Sequence, residues 1–156
     1  MSEQRHLLVV AHAPSENTRR LVDAVVRGAG HEDVENVTCR HIPPLEAGPD
    51  DVLAANAIIL GTTENLGYMS GALKDFFDRV YYPCLEETQG LPYALYIRAG
   101  RDGTGTRRAV ESITTGLRWQ PAQEPLICHG EFREQFITDC EELGLYMAAG
   151  LDAGIL

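Results

Sequence analysis

Three short stretches of this sequence carry the residue types that hold an anion and a planar ring. The first is His12-Ala13-Pro14-Ser15-Glu16-Asn17-Thr18, which runs directly into a helical repeat. A helix start presents unpaired backbone N–H groups and the positive end of its dipole, which suits a phosphate dianion. Ser15, Asn17 and Thr18 add short donors within reach of the same oxygens. The second stretch spans Gly61 to Gly71 and includes Thr62, Thr63, Glu64, Asn65, Leu66, Gly67, Tyr68 and Met69. Its glycines and small polar residues let backbone approach a flat ring closely, and Leu66, Tyr68 and Met69 offer apolar or stacking contacts. The third runs from Arg98 through Ala99, Gly100, Arg101, Asp102 and Gly103 to Thr106, with three glycines that allow tight backbone against the other side of a ligand.

Other chemistries lack their residue patterns. No Gly-x-x-x-x-Gly-Lys-Ser/Thr run is present, which argues against nucleoside triphosphate chemistry. Ser15 lies at a helix start and not on a Gly-x-Ser-x-Gly elbow, so no Ser-His-Asp hydrolase is indicated. The cysteines at 39, 84, 128 and 140 form no C-x-x-C pair, which leaves no zinc site or dithiol motif and reads as buried or partly buried free thiols in a reducing cytosol. His12 and His129 read as ordinary loop histidines. We assign no catalytic side chain and no metal ligand.

The stretches are positioned by alternating strand and helix signals. Leu7-Leu8-Val9-Val10-Ala11, Ala57-Ile58-Ile59-Leu60 and Tyr93-Ala94-Leu95-Tyr96-Ile97 are continuous apolar runs, the pattern of strands buried on both faces. A second, edge-like strand is expected over Val34–Ile42 and a short fifth over Pro125–Cys128. Ser15 is the expected cap of a helix whose inner face is Leu21, Val22, Val25, Val26 and Ala29, with Gly28 and Gly30 as its stop. Asp50 or Asp51 would cap a short helix through Leu53 and Ala55. Gly61 should close the third strand, Ser70 should cap the next helix and Pro83 should end it. Further helices carry Val110, Ile113, Thr114 and Leu117, then Phe132, Phe136, Ile137, Cys140, Leu143 and Met147. Such alternation gives a doubly wound parallel sheet, in one domain over residues 1–156. All three stretches then fall at strand carboxyl ends, where open parallel sheets bind ligands.

The run Gly-Thr-Thr…Gly-Tyr-Met-Ser-Gly-Ala-Leu-Lys-Asp-Phe-Phe-Asp-Arg, from Gly61 to Arg79, resembles the flavodoxin-like superfamily. It is most similar to the NAD(P)H-dependent FMN reductases and the tryptophan-repressor-binding-protein type of quinone oxidoreductase. The resemblance spans nearly the whole chain. It implies a flavodoxin-like three-layer α/β/α fold with a five-stranded parallel sheet of order 2-1-3-4-5. It also implies FMN as cofactor. Ser15, Glu16, Asn17 and Thr18 would surround the phosphate, residues from Thr62 to Met69 would line the ring, and Ala99, Gly100, Arg101, Asp102 and Gly103 would close its other edge. The chain departs from the pattern at Glu16, where glycine is common, at Thr63, where proline is usual, and at Asn65 and Leu66, where an aromatic is often found.

The expected function is an NAD(P)H-dependent oxidoreductase that passes electrons from bound FMN to a quinone, a flavin or a similar small acceptor. An electron carrier and a flavin-free interaction or sensor domain are the alternatives. A net charge of −10 opposes binding to nucleic acid or anionic membranes, though local N–H groups override the global field at short range. No apolar run reaches membrane-spanning length, and the polar residues 2–6 precede only a strand-length run, so a cytoplasmic location is expected. A homodimer is expected because twofold dimers are the commonest assembly.

Overall fold

The computed structural model describes residues 3–156, so Met1 and Ser2 of the polar opening lie outside the described residues. Strand β1 (Arg5–Ala11) leads to helix α1 (Glu16–Ala29), then β2 (Val37–Ile42), α2 (Pro49–Leu53), β3 (Ala57–Asn65), β4 (Tyr68–Met69) and α3 (Gly71–Leu85). The chain continues through β5 (Pro92–Ala99), α4 (Thr104–Gly116), β6 (Gln120–Pro121), β7 (Leu126–His129) and α5 (Glu134–Asp152). The sheet runs β2-β1-β3-β5-β6, with β7 also on β5, and all these pairs are parallel. The fifth strand of the expected 2-1-3-4-5 order is therefore present as two short pieces, β6 against the start of β5 and β7 against its end.

Burial on both faces explains the apolar runs. Leu8, Val10, Ile58, Leu60, Leu95 and Ile97 point into a core shared with α3 and α4, including Phe76, Phe77, Val80 and Val110. Leu7, Val9, Ile59, Ala94 and Tyr96 point the other way, against Leu21, Val25, Phe136, Leu143 and Met147 of α1 and α5. Each Val, Leu, Ile, Phe or Met among them contributes about 1.5–3 kcal/mol when fully buried. Cys84, Cys128 and Cys140 are buried and Cys39 is partly buried, all as free thiols. Burial pushes the Cys39 thiol up to about 11.

Several local expectations give way to packing. Gly28 does not stop α1. It lies inside the helix, where an added Cβ would come within 1.9 Å of the Glu141 carbonyl oxygen of α5, and a Cβ on Gly144 would meet the Val25 oxygen at the same 1.9 Å. The two helices touch backbone to backbone at this reciprocal pair, and Gly30 alone provides the C-cap. Gly61 does not close β3. The strand runs on to Asn65 because Thr62 and Thr63 pair with β5 and Glu64 and Asn65 with β4, and the Tyr96 ring fills the space above Gly61, 2.3 Å from where a Cβ would stand. The Tyr96 hydroxyl is buried there without a partner among the described residues. Pro83 does not end α3, which continues to Leu85; burial of Val80 and Cys84 holds the turn that proline weakens. Gly48, not an aspartate, caps α2, and Asp51 accepts from the Gly48 N–H at 2.9 Å. Strand β2 starts only at Val37, since the N–H groups of Glu35 and Asn36 are taken by the Asp152 carboxylate at 3.0 and 3.1 Å.

The Gly28–Gly144 contact yields a stability prediction. Gly28→Ala and Gly144→Ala should each destabilise the protein by about 2 kcal/mol, because overpacking outweighs the helix propensity gained from alanine. Urea denaturation measures it, and a variant as stable as the parent would mean that the helices separate freely.

Candidate functional site at the carboxyl edge of the sheet

The strand ends bring the three stretches together. At the first, Ser15 caps α1: its Oγ accepts from the Thr18 N–H at 3.2 Å, while the Ser15 N–H donates to Thr18 Oγ1 at 2.9 Å. The two hydroxyls also lie 2.8 Å apart. This closed capping box preshapes the turn, and the Glu16 and Asn17 amides, with no intrahelical acceptor, head the helix. Thr18 is buried, whereas Ser15, Glu16 and Asn17 are exposed. The loop is tied to the sheet by the His12 N–H, which donates to Gly61 O at 2.9 Å. Partial burial lowers the His12 pKa below its ordinary value.

The second stretch is a β-hairpin and not an open loop. Glu64 pairs with Met69 and Asn65 with Tyr68, leaving Leu66 and Gly67 as a two-residue turn with φ of +53° and +74°. Positive φ at both positions is the type I′ geometry, which matches the twist of the flanking strands. Leucine in this region costs about 1 kcal/mol, yet the Leu66 side chain is wholly exposed, at 106%. Tyr68 is 42% exposed beside it. Thr62 and Met69 face the other way and are buried: Thr62 Oγ1 accepts from the Ser70 N–H at 2.9 Å, and Met69 joins the α3 core.

Glu64 joins the hairpin to the third stretch. Its two carboxylate oxygens accept from the N–H groups of Arg101 at 2.8 Å and Gly103 at 3.0 Å. Gly103, at φ +72°, precedes α4. The Thr104 N–H donates to Asp102 Oδ1 at 3.0 Å, and this bond holds the Asp102 pKa below the usual carboxylate value. Thr106 Oγ1 donates to Tyr68 O at 2.9 Å, and Gly105 is so close to the turn that a Cβ would lie 2.2 Å from Gly67 O. Between hairpin and loop lies a cleft of about 500 Å³ lined by Glu64, Leu66, Gly67, Gly100 and Arg101. A second cleft of about 280 Å³, lined by His6, Thr38, Arg40 and Asp51 among others, lies at the amino ends of β1 and β2, the edge away from the three stretches.

The sheet order and the helix layers have structural counterparts. A flavodoxin from the domain Archaea superposes with a TM-score of 0.77 at 19% identity, covering 94% of this chain and 98% of the other. The chain has the flavodoxin-like fold. A flavodoxin, WrbA-like protein from Agrobacterium tumefaciens shares it with a TM-score of 0.67 at 17% identity, covering 94% and 96% of the two chains. In sequence, the flavodoxin of Aquifex aeolicus (strain VF5) is 31% identical over 111 residues, or 71% of this chain. The match spans 59% of that curated relative's length. No protein-family model matches the chain.

The flavodoxin-like frame also shows what sequence reading missed. Phe132 and Arg98 stand at the same edge of the sheet, with Arg98 5.7 Å from the Phe132 ring centroid. Phe132, expected on the last helix, instead precedes α5, which starts at Glu134. Among the described residues no group of acids, histidines and cysteines is arranged to hold a metal, and no helix is long and apolar enough to cross a membrane.

Two variants test this geometry. Glu64→Ala should speed amide exchange at Arg101 and Gly103 about tenfold or more, since bonds to a charged acceptor are the strong ones; unchanged protection measured by NMR would remove Glu64 as the clamp. Leu66→Asn should raise stability by about 1 kcal/mol, because asparagine tolerates the left-handed turn. A loss of stability in thermal melts would show that Leu66 is not strained.

Proposed function

We propose that the chain is an FMN-binding flavoprotein that takes electrons from NAD(P)H and delivers them to a small acceptor such as a quinone or a free flavin. The supporting observation is the pairing of two features on one edge: a preformed helix-start turn with outward amides, and a cleft walled by a rigid hairpin and a glycine loop. The Glu16 and Asn17 amides with the Ser15 hydroxyl would hold the phosphate. The exposed carboxylate of Glu16 would turn to solvent. Glu64, Leu66, Gly67, Gly100 and Arg101 would border the ring, with Tyr68 as its one adjacent aromatic. Bound flavin supplies the electron chemistry, and the protein supplies binding, orientation and electrostatics.

The openness of the cleft favours a reductase that admits a second small molecule. The single tryptophan, Trp119, is buried and donates to Thr88 Oγ1 at 2.9 Å, so it does not cover the ring position. Leu66 leaves the hairpin tip apolar and uncovered. Four unpaired thiols suit a reducing cytoplasm. A one-electron carrier is the second reading, favoured by the sequence match to a flavodoxin.

Gel filtration after incubation with FMN should leave a yellow protein, with a melting temperature that rises with FMN concentration. Mixing that protein with NADPH or NADH in a stopped-flow instrument should bleach the flavin band within seconds. A colourless protein with an unmoved melting temperature would defeat flavin binding. A yellow protein that neither nucleotide bleaches, and that a redox titration reduces in separate one-electron steps, would favour the carrier.

A further inference from the structure

Two of the four thiols meet in the core between the sheet and the α1–α5 layer, and neither lines the cleft described above. Cys128 is the penultimate residue of β7, opposite Arg98 of β5. Cys140 lies within α5. Both are wholly buried, in the cluster that also holds Ala94, Tyr96 and Phe136. Their side chains share a hydrogen bond. The other two thiols stand apart. Cys84 belongs to the core on the opposite face of the sheet, where its Sγ reaches Pro49 O at 4.0 Å. Cys39 sits on β2, at the far edge of the sheet.

The two sulfurs of the pair are unequal. Burial alone raises a thiol pKa, as it does at Cys39 and Cys84. Cys128 goes the other way. The hydrogen bond with Cys140 holds it below the ordinary thiol value against the effect of burial; the Arg98 and Arg133 guanidinium groups act in the same direction and Asp139 opposes them. Cys140 is raised, first by that same bond and then by burial. One sulfur therefore favours the thiolate, and the other keeps its proton beside it. That is the asymmetry of an attacking and a resolving thiol. A structural zinc ion is almost always four-coordinate, and among the described residues no third ligand joins the pair. Access comes through β7. It has four residues and, among the described residues, pairs with β5 alone, and short edge elements of this kind open locally at low cost.

We propose that Cys128 and Cys140 form a site of reversible oxidation, at which hydrogen peroxide converts the dithiol into a disulfide that ties β7 to α5. The Cys128 thiolate attacks one peroxide oxygen: an S–O bond forms, the O–O bond breaks, and the leaving hydroxide takes up a proton to become water. The Cys140 sulfur then attacks Cys128: the S–S bond forms, the S–O bond breaks, and the Cys140 proton departs with the hydroxyl as a second water. Each sulfur loses one electron and the peroxide gains two. Thiols already in hydrogen-bond contact need only a short approach to reach the roughly 2 Å of a disulfide. The link closes the segment 129–139, which carries Phe132 and the first turn of α5, and a thiol reductant reopens it. A disulfide in a reducing compartment is of this transient kind. The site is independent of the flavin reading, since no step passes through a flavin.

The test exposes the reduced, folded parent protein to millimolar hydrogen peroxide. The intact mass should fall by two hydrogen atoms, and the thiols titrated after denaturation should drop from four to two. A peptide map without reductant should join the Cys128 and Cys140 peptides, and dithiothreitol should restore all four thiols. The oxidised form should melt about 5 °C or more above the reduced form, because the link constrains the unfolded chain. Cys128→Ala and Cys140→Ala should each abolish the link, while Cys84→Ala leaves it intact; should either of the first two fail to fold, the peptide map of the parent decides. Added oxygen without loss of the two hydrogens, a link through Cys39 or Cys84, a link between two chains, or four surviving thiols overturns the proposal. A link at the proposed place that leaves the melting temperature unmoved or lowered overturns its bracing of β7 against α5.

Discussion

The structure depends on three adjacent parallel strands, β1, β3 and β5, that are buried on both faces. Parallel neighbours need crossovers, and right-handed crossovers place α1 and α5 on one face and α3 and α4 on the other. Every crossover that leaves a carboxyl end must then start from the same edge. The anion turn, the hairpin and the glycine loop converge there because their strands share a direction, although they are separated by dozens of residues in sequence. The sheet also limits how far they can move: His12 bonds back to Gly61, and Thr62 bonds to the start of α3.

Rigidity at that edge comes from polar contacts. The carboxylate of Glu64 takes two amides of the third stretch. Thr106 takes the carbonyl of Tyr68, and Gly105 lets α4 reach the hairpin turn. A cleft walled this way loses little freedom when a planar ligand enters, which favours affinity through preorganisation. The strain at Leu66 fits the same picture. A fully exposed leucine in a left-handed turn serves no packing purpose inside the chain, and strained positions of this kind cluster at ligand sites.

Charge works on two scales at this edge. The whole molecule is acidic, with a net charge of −10, and that field opposes the approach of an anion at long range. Within a few ångströms the helix-start amides present partial positive charge that acts against that field. Coulomb interactions strengthen as separation and local dielectric fall, so a small cluster of donors outweighs a larger but distant negative charge.

How much of this was readable in the sequence follows from the range of the forces involved. Apolar runs and helical periodicity mark strands and helix faces, and Ser15 and Ser70 mark caps, because burial pattern and capping are local properties. The fold class and the three stretches at one edge were accordingly legible. The turn at Leu66-Gly67, the continuation of β3 past Gly61 and of α3 past Pro83, and the interior position of Gly28 were not. Each is decided by a partner outside the local run: Gly105 and Thr106, the paired strands β4 and β5, the core around Val80, and α5. The same holds for the site. Glu64 could be named as a loop residue but not as the acceptor of the Arg101 and Gly103 amides. Sequence by itself determined which segments are strands, helices and glycine-rich turns; tertiary structure decided which side chains meet, because contact energies fall off within a few ångströms and only folding sets those distances.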